Sequence, residues 1–139
     1  TEPTWAPDGE SIYFTSNRGG SPQIYRIPTD GGDAERVTFE GRYNASPSVS
    51  DDGRFLAFVT QDGDGFRIAV QDLDQGFMRV LTEGPLDESP SFSSSGTMIA
   101  YTRSIGEGTE LATVSVFGRV QGELTRFDNT VREPDWGPL

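Results

Sequence analysis

Apolar and polar positions alternate along this chain in short runs, each closed by a glycine-bearing turn. That is the period of β-strands, and no stretch sustains a helical period. Ser11–Thr15, Arg54–Thr60 and Met98–Arg103 are examples. They carry bulk on both faces, with Ile12 and Phe14 on one and Tyr13 on the other, so these strands are expected to be covered on both sides.

The runs repeat. Pro3, Pro47, Pro90 and Pro134 recur at spacings of 44, 43 and 44 residues. Six residues after each of the first three stands a glycine: Gly9, Gly53 and Gly96. Later in each unit come an aliphatic residue (Ile12, Leu56, Ile99), an aromatic (Phe14, Phe58, Tyr101) and a second aliphatic (Ile24, Ile68, Leu111). Each unit nears its end on a threonine behind Val or Leu: Thr38, Thr82 and Thr125. A fourth unit starts at Arg132-Glu133-Pro134 and stops, and its Pro134–Pro138 matches Pro3–Pro7.

Each unit predicts four short strands. The first starts at the proline (Pro3–Ala6, Pro47–Ser50, Pro90–Ser93), where no ladder donor is lost. The second is Ser11–Thr15, Arg54–Thr60 or Met98–Arg103. The third is Gln23–Ile27, Arg67–Leu73 or Glu110–Val116. The fourth is Glu35–Thr38, Met78–Thr82 or Glu123–Arg126. Four strands in about 44 residues, repeated, are the mark of a propeller blade. The expected fold is all-β: one partial β-propeller domain over residues 1–139, of about three four-stranded antiparallel blades. The repeats run approximately 1–44, 45–87 and 88–130, with a final inner strand at 131–138.

Composition sharpens this. Ile, Val, Leu and Phe make up 31 of 139 residues, about 22%, just above the ~20% below which a charged chain reads as disordered. Dispersed glycines, prolines and aromatics place it on the folded side. The net charge is −11, with Arg as the only basic residue, which speaks against nucleic acid or an anionic membrane surface as partner. With no His and no Cys, the chain has no Ser-His-Asp triad, no cysteine nucleophile, no disulfide and no His- or Cys-ligated metal. No apolar run approaches a membrane span. The chain begins at Thr1 without Met or a signal peptide, which reads as a processed or excised piece.

Candidate chemistry gathers just before the first strand of each unit: Thr1 and Glu2; Asn44, Ala45 and Ser46; Leu86, Asp87, Glu88 and Ser89; Arg132 and Glu133. In a propeller these segments open at the mouth of the central channel, so equivalent residues converge on one axis. They serve either as a polar ring that receives a ligand, with Arg132 as counter-charge, or as turn caps that brace neighbouring blades. Crowded carboxylates attract cations, so calcium near Glu2, Asp87, Glu88 or Glu133 is the one cofactor considered, and none is required. Asp62-Gly63-Asp64-Gly65 fails the EF-hand pattern, because Phe66 and Leu73 stand at ligand positions. Asp87 and Glu88 are adjacent and point opposite ways on a strand, which does not suit paired-carboxylate hydrolysis. Asn44-Ala45-Ser46 is a formal glycosylation sequon read as coincidence, and Trp5 and Trp136 are read as inter-blade packing aromatics.

Three segments carry a family resemblance: Thr1–Gly9 with Phe14–Tyr25, Leu86–Ser91, and Val131–Pro138. In this order they resemble the later part of the propeller of the TolB family, over the whole chain. The third unit departs from the usual Pro-Asp-Gly turn with Ser94-Ser95-Gly96. The resemblance implies a periplasmic protein of the Tol–Pal envelope system, with an N-terminal α/β domain and six blades, of which this chain carries the last three. It implies a non-catalytic module that binds the lipoprotein Pal at the channel mouth and supports outer-membrane integrity and cell division. Two other readings fit the repeat: a gating propeller of a prolyl-oligopeptidase-like or tricorn-like peptidase, and an engineered or excised half-ring that self-associates. Three blades leave end faces uncovered. The isolated chain is therefore expected to form a homodimer, with Trp5 or Trp136, but not both, in the inner-strand slot of each junction.

Overall fold

A computed structural model describes residues 3–117 and the backbone of residues 121–127. Among the described residues twelve strands form three four-stranded antiparallel sheets, each a simple meander. The first sheet holds β1 (Thr4–Trp5), β2 (Ser11–Ser16), β3 (Gln23–Pro28) and β4 (Glu35–Arg36). The second holds β5 (Asn44–Val49), β6 (Phe55–Asp62), β7 (Gly65–Asp72) and β8 (Met78–Val80). The third holds β9 (Asp87–Phe92), β10 (Met98–Ile105), β11 (Gly108–Ser115) and β12 (Gln121–Phe127). The first strands lie side by side, β1 against β5 and β5 against β9, as blades around an axis require.

The repeated glycine is explained by its turn. The N–H groups of Gly9, Gly53 and Gly96 each donate to the carbonyl three residues back, at 2.9 Å. Their φ angles of 73°, 75° and 75° lie where a side chain is strained. Asp8 and Asp52 brace the same turn by accepting the N–H two residues on, at 2.9 and 3.0 Å. In the third unit Ser95 takes that place. It bonds the hydroxyls of Ser93 and Thr97 at 3.1 and 2.8 Å, so the serine-rich turn keeps the same geometry.

In the first two sheets the repeated threonine closes the outer strand. Thr38 Oγ1 accepts the N–H of Ile24 and Thr82 Oγ1 that of Ile68, both at 2.9 Å and buried. The sheets then stack through their faces. Tyr13 and Ile24 of the first pack on Leu56, Phe58 and Ala69 of the second. The opposite face of the second, with Ala57, Val59, Ile68 and Val70, packs on Phe92, Ile99, Tyr101, Ala112 and Val114 of the third. This accounts for the bulk on both faces of the central strands.

One expectation shifts. β5 and β9 start at Asn44 and Asp87, three residues before the prolines, because a bulge lets the strand continue through them. At the bulges Ser46 and Ser89, each just before a proline, take φ of 60° and 57°. The acidic glycine segment at Asp62–Gly65 is the tight turn that joins β6 to β7, with Asp62 paired to Gly65. Trp5 is 62% exposed among these three sheets, because the face carrying it, with Ile12 and Phe14, lies away from the second sheet.

Candidate functional site

The segments that connect one sheet to the next are strapped down by backbone bonds. Asn44 N–H donates to the Pro22 carbonyl at 2.9 Å, and Gln61 N–H to Tyr43 at 3.1 Å. In the next junction Phe66 N–H donates to Pro85 at 2.6 Å and Ser104 N–H to Leu86 at 3.0 Å. The strap comes close enough that a Cβ on Gly84 would sit 2.9 Å from the Phe66 carbonyl oxygen.

These straps shape a cleft of about 350 Å³ at the end where β5 and β9 begin. Tyr43, Val59, Phe66 and Leu86 supply its apolar wall. Ser46, Asp87, Glu88 and Ser104 supply its polar side. Tyr43 and Phe66 meet edge to face, with centroids 5.2 Å apart. Four residues singled out in the sequence, Ser46, Leu86, Asp87 and Glu88, are thus brought together here.

Not all candidates are open to a partner. Asn44 and Asp87 are fully buried, and Ala45 is nearly so. Asn44 Nδ2 donates to Gln23 Oε1 at 2.8 Å and to the Glu40 carbonyl at 2.7 Å, which ties the second sheet to the first. Asp87 Oδ2 accepts the Gly84 N–H at 2.8 Å, and the Thr82 hydroxyl bonds the same carboxylate. For these two residues the bracing role is built. Ser89 is half-buried at the bulge. Thr1, Glu2, Arg132, Glu133 and Trp136 lie outside the described residues. Among the described residues no three acidic groups gather closely enough to hold a metal ion.

Beneath the cleft lies a charged cluster that the sequence reading missed. Register sets Asp87, Arg103 and Glu110 side by side across β9, β10 and β11. Arg103 and Glu110 pair at 2.8 Å, and Glu110 is only 2% exposed. Arg67 pairs with Asp62 at 3.4 Å. Burial raises the Asp87 carboxyl above its ordinary value, against the pull of its two hydrogen bonds and of the Arg103 and Arg67 charges. Burial also pushes the Tyr101 phenol up to about 12. Asp87 Oδ1, Arg67 Nε, Arg103 Nε and Tyr101 OH are buried without a hydrogen-bond partner. The signal was present in the repeat: Gln23, Arg67 and Glu110 all stand 20 residues after a repeat proline.

A family model for the TolB β-propeller domain matches residues 1–139. The chain belongs to the TolB β-propeller family. It is 47% identical over 139 residues to the Tol-Pal system protein TolB of Bordetella pertussis, covering 100% of this chain and 32% of that protein. It is 49% identical over 118 residues to TolB of Nitrosospira multiformis, covering 83% of this chain and 27% of that protein. The chain thus spans about a third or less of the curated TolB relatives it matches. The crystal structure of TolB from Acinetobacter baumannii superposes with a TM-score of 0.90 at 41% identity, over 96% of this chain and 34% of that one. The tricorn protease, at 15% identity and a TM-score of 0.65 over 83% of this chain and 13% of that one, shares the fold alone.

Proposed function

We propose that this chain is the partner-binding part of a TolB-type propeller, non-catalytic and periplasmic, which receives a segment of a Pal-like lipoprotein at the channel mouth. The observation that carries the reading is the cleft where β5 and β9 begin, in a chain of this family. It sets exposed Leu86 and the Glu88 carboxylate beside two aromatic rings, a mix of apolar anchor and polar rim suited to a peptide. Charged residues at such a rim steer the partner and fix its register. Titration calorimetry with the soluble domain of Pal tests it. Glu88→Arg is expected to weaken binding at least tenfold, while Gln75→Ala, in the turn between β7 and β8, leaves it unchanged. Binding that is insensitive to Glu88 and lost with Gln75 would overturn the reading.

A second reading concerns assembly. The face of the first sheet that bears Trp5, Ile12 and Phe14 is apolar and lies away from the second sheet. We infer that the isolated chain covers this face with a second copy, as a homodimer.

A further inference from the structure

Among the described residues, five buried side-chain atoms have no hydrogen-bond partner within the chain: Asn44 Oδ1, Arg67 Nε, Asp87 Oδ1, Tyr101 OH and Arg103 Nε. Four of them belong to one cluster, where the second sheet meets the third. Arg103 stands opposite Asp87 in the register of β10 and β9. The Tyr101 ring, two residues back along β10, lies 5.9 Å from the guanidinium carbon of Arg103. Arg67 reaches the cluster from β7. A Cβ on Gly84 would lie 3.7 Å from Arg67 Nε, and the Gly84 N–H bonds Asp87 Oδ2 at 2.8 Å. Tyr101 and Asp87 are fully buried. Native proteins seldom leave such atoms unmet, because each has given up its bonds to solvent.

The chemistry of the set selects its occupant. Arg67 Nε and Arg103 Nε only donate, an ionised Asp87 Oδ1 only accepts, and the phenol does either. A cation is repelled by the two arginines. An anion is repelled by Asp87 and by Glu110, which Arg103 already holds at 2.8 Å. A small neutral molecule that both donates and accepts meets every member. We propose that the cluster is an internal water site. The bound water donates to Asp87 Oδ1 and accepts from Arg103 Nε–H, with Arg67 Nε–H and the Tyr101 hydroxyl as its further partners. Three or so such bonds are what a buried water makes. The water links the second sheet to the third beneath the cleft, whatever docks at the mouth above it. The first junction lacks these donors. Gln23 stands where Arg67 does, and its amide is engaged by the Gly41 carbonyl at 3.1 Å and the Ser21 hydroxyl at 3.5 Å.

Two measurements on the 139-residue chain test this. In solution, water-selective NOE and ROE spectra read the Hε protons of Arg67 and Arg103. Cross-peaks of opposite sign in the two spectra are expected, the mark of a long-lived neighbouring water; proton exchange gives the same sign in both. Tyr101→Phe and Thr82→Val remove the hydroxyls that would otherwise relay the signal, and the cross-peaks should persist in each. No cross-peak in the wild type, or its loss in either variant, overturns the proposal. In crystals, density bridging Asp87 Oδ1 and Arg103 Nε is expected, unchanged when bromide replaces chloride or rubidium replaces sodium. An anomalous bromide peak there would make the occupant an anion, and a rubidium peak a cation. Either overturns the proposal, as does a direct bond from Arg103 Nε to Asp87 Oδ1.

Discussion

Asn44 and Asp87 start the first strands of successive sheets at equivalent positions, both fully buried, one a neutral amide and the other a carboxylate. Asn44 finds its partners in Gln23 and the Glu40 carbonyl, whereas Asp87 uses the Gly84 N–H and the Thr82 hydroxyl. The same slot therefore accepts either chemistry, which makes Asp87→Asn a clean probe. Burial raises the Asp87 carboxyl in the folded chain. Its favourable contribution is present below the ordinary value of 3.8 and is lost as pH rises through the raised value. Asp52 and Asp72 behave oppositely. Their carboxyls are lowered, first by backbone N–H bonds from Arg54 and Gln75, so their stabilisation is lost as pH falls below that value. Urea melts from about pH 3 to 7 should find Asp87→Asn gaining on the wild type above about pH 4, with the acid limb unchanged. A variant that tracks the wild type at every pH would refute this.

The threonine closing the outer strand of the first and second sheets offers a second measurement. Thr38 and Thr82 hydroxyls satisfy buried N–H groups of Ile24 and Ile68. Valine keeps the shape and removes the acceptor, so each replacement should cost about 1–3 kcal/mol in a urea melt. Thr82→Val also takes a hydrogen bond from Asp87, so it should flatten or shift the pH profile, which Thr38→Val leaves alone. Equal costs with identical profiles would separate the threonine from the Asp87 cluster.

The strap over β7 depends on Gly84. Its φ is 71° and an added Cβ would meet the Phe66 carbonyl oxygen at 2.9 Å, backbone that cannot swing away. Gly63 has a similar φ of 63° but open space around it. Gly63→Ala should therefore cost only the backbone strain, about 1 kcal/mol, and Gly84→Ala roughly twice that or more. The Gly84 variant should also move the amide resonances of Phe66, Leu86 and Asp87, because the cleft wall shifts with the strap. Equal thermal shifts for the two variants would show that the close approach is not enforced.

The sheets were legible because their marks are local. A glycine that needs a positive φ, a threonine that caps an outer strand and an alternating apolar run each act within a few residues, so the repeat announces them. The starts of β5 and β9 were missed because the bulge at Ser46 and Ser89 carries the strand past a proline, which by itself reads as a boundary. The candidate site was half legible. Position alone brought Ser46, Leu86, Asp87 and Glu88 to one mouth, but whether a side chain there faces solvent or braces the next sheet depends on residues in the preceding part of the chain, Gln23 for Asn44 and Arg67 for Asp87. The aromatic wall of Tyr43 and Phe66 joins the segment before β5 to the start of β7, on either side of Gln61 in β6, and leaves no periodic trace.

Trp5 gives the most direct check on assembly. It pairs with Ile12 across β1 and β2 and is 62% exposed, on the face of the first sheet turned away from the second. Phe14 and Tyr25 continue that face, covered on one side by the Arg18 guanidinium. Burying such a tryptophan contributes about 2 kcal/mol, and a two-fold dimer would carry the contribution at both junctions. Trp5→Glu should then weaken dimerisation by about 4 kcal/mol, close to a thousandfold. Sedimentation equilibrium at micromolar chain should find the wild type at twice the chain mass and Trp5→Glu at the chain mass. The far-ultraviolet spectrum should be the same for both, because β1 is a two-residue edge strand. Phe77→Glu, on an exposed aromatic in the second sheet's outer turn, should leave the dimer intact. A wild type that stays monomeric at about 100 μM, or a Phe77 variant that dissociates as readily as the Trp5 variant, would remove this face as the interface.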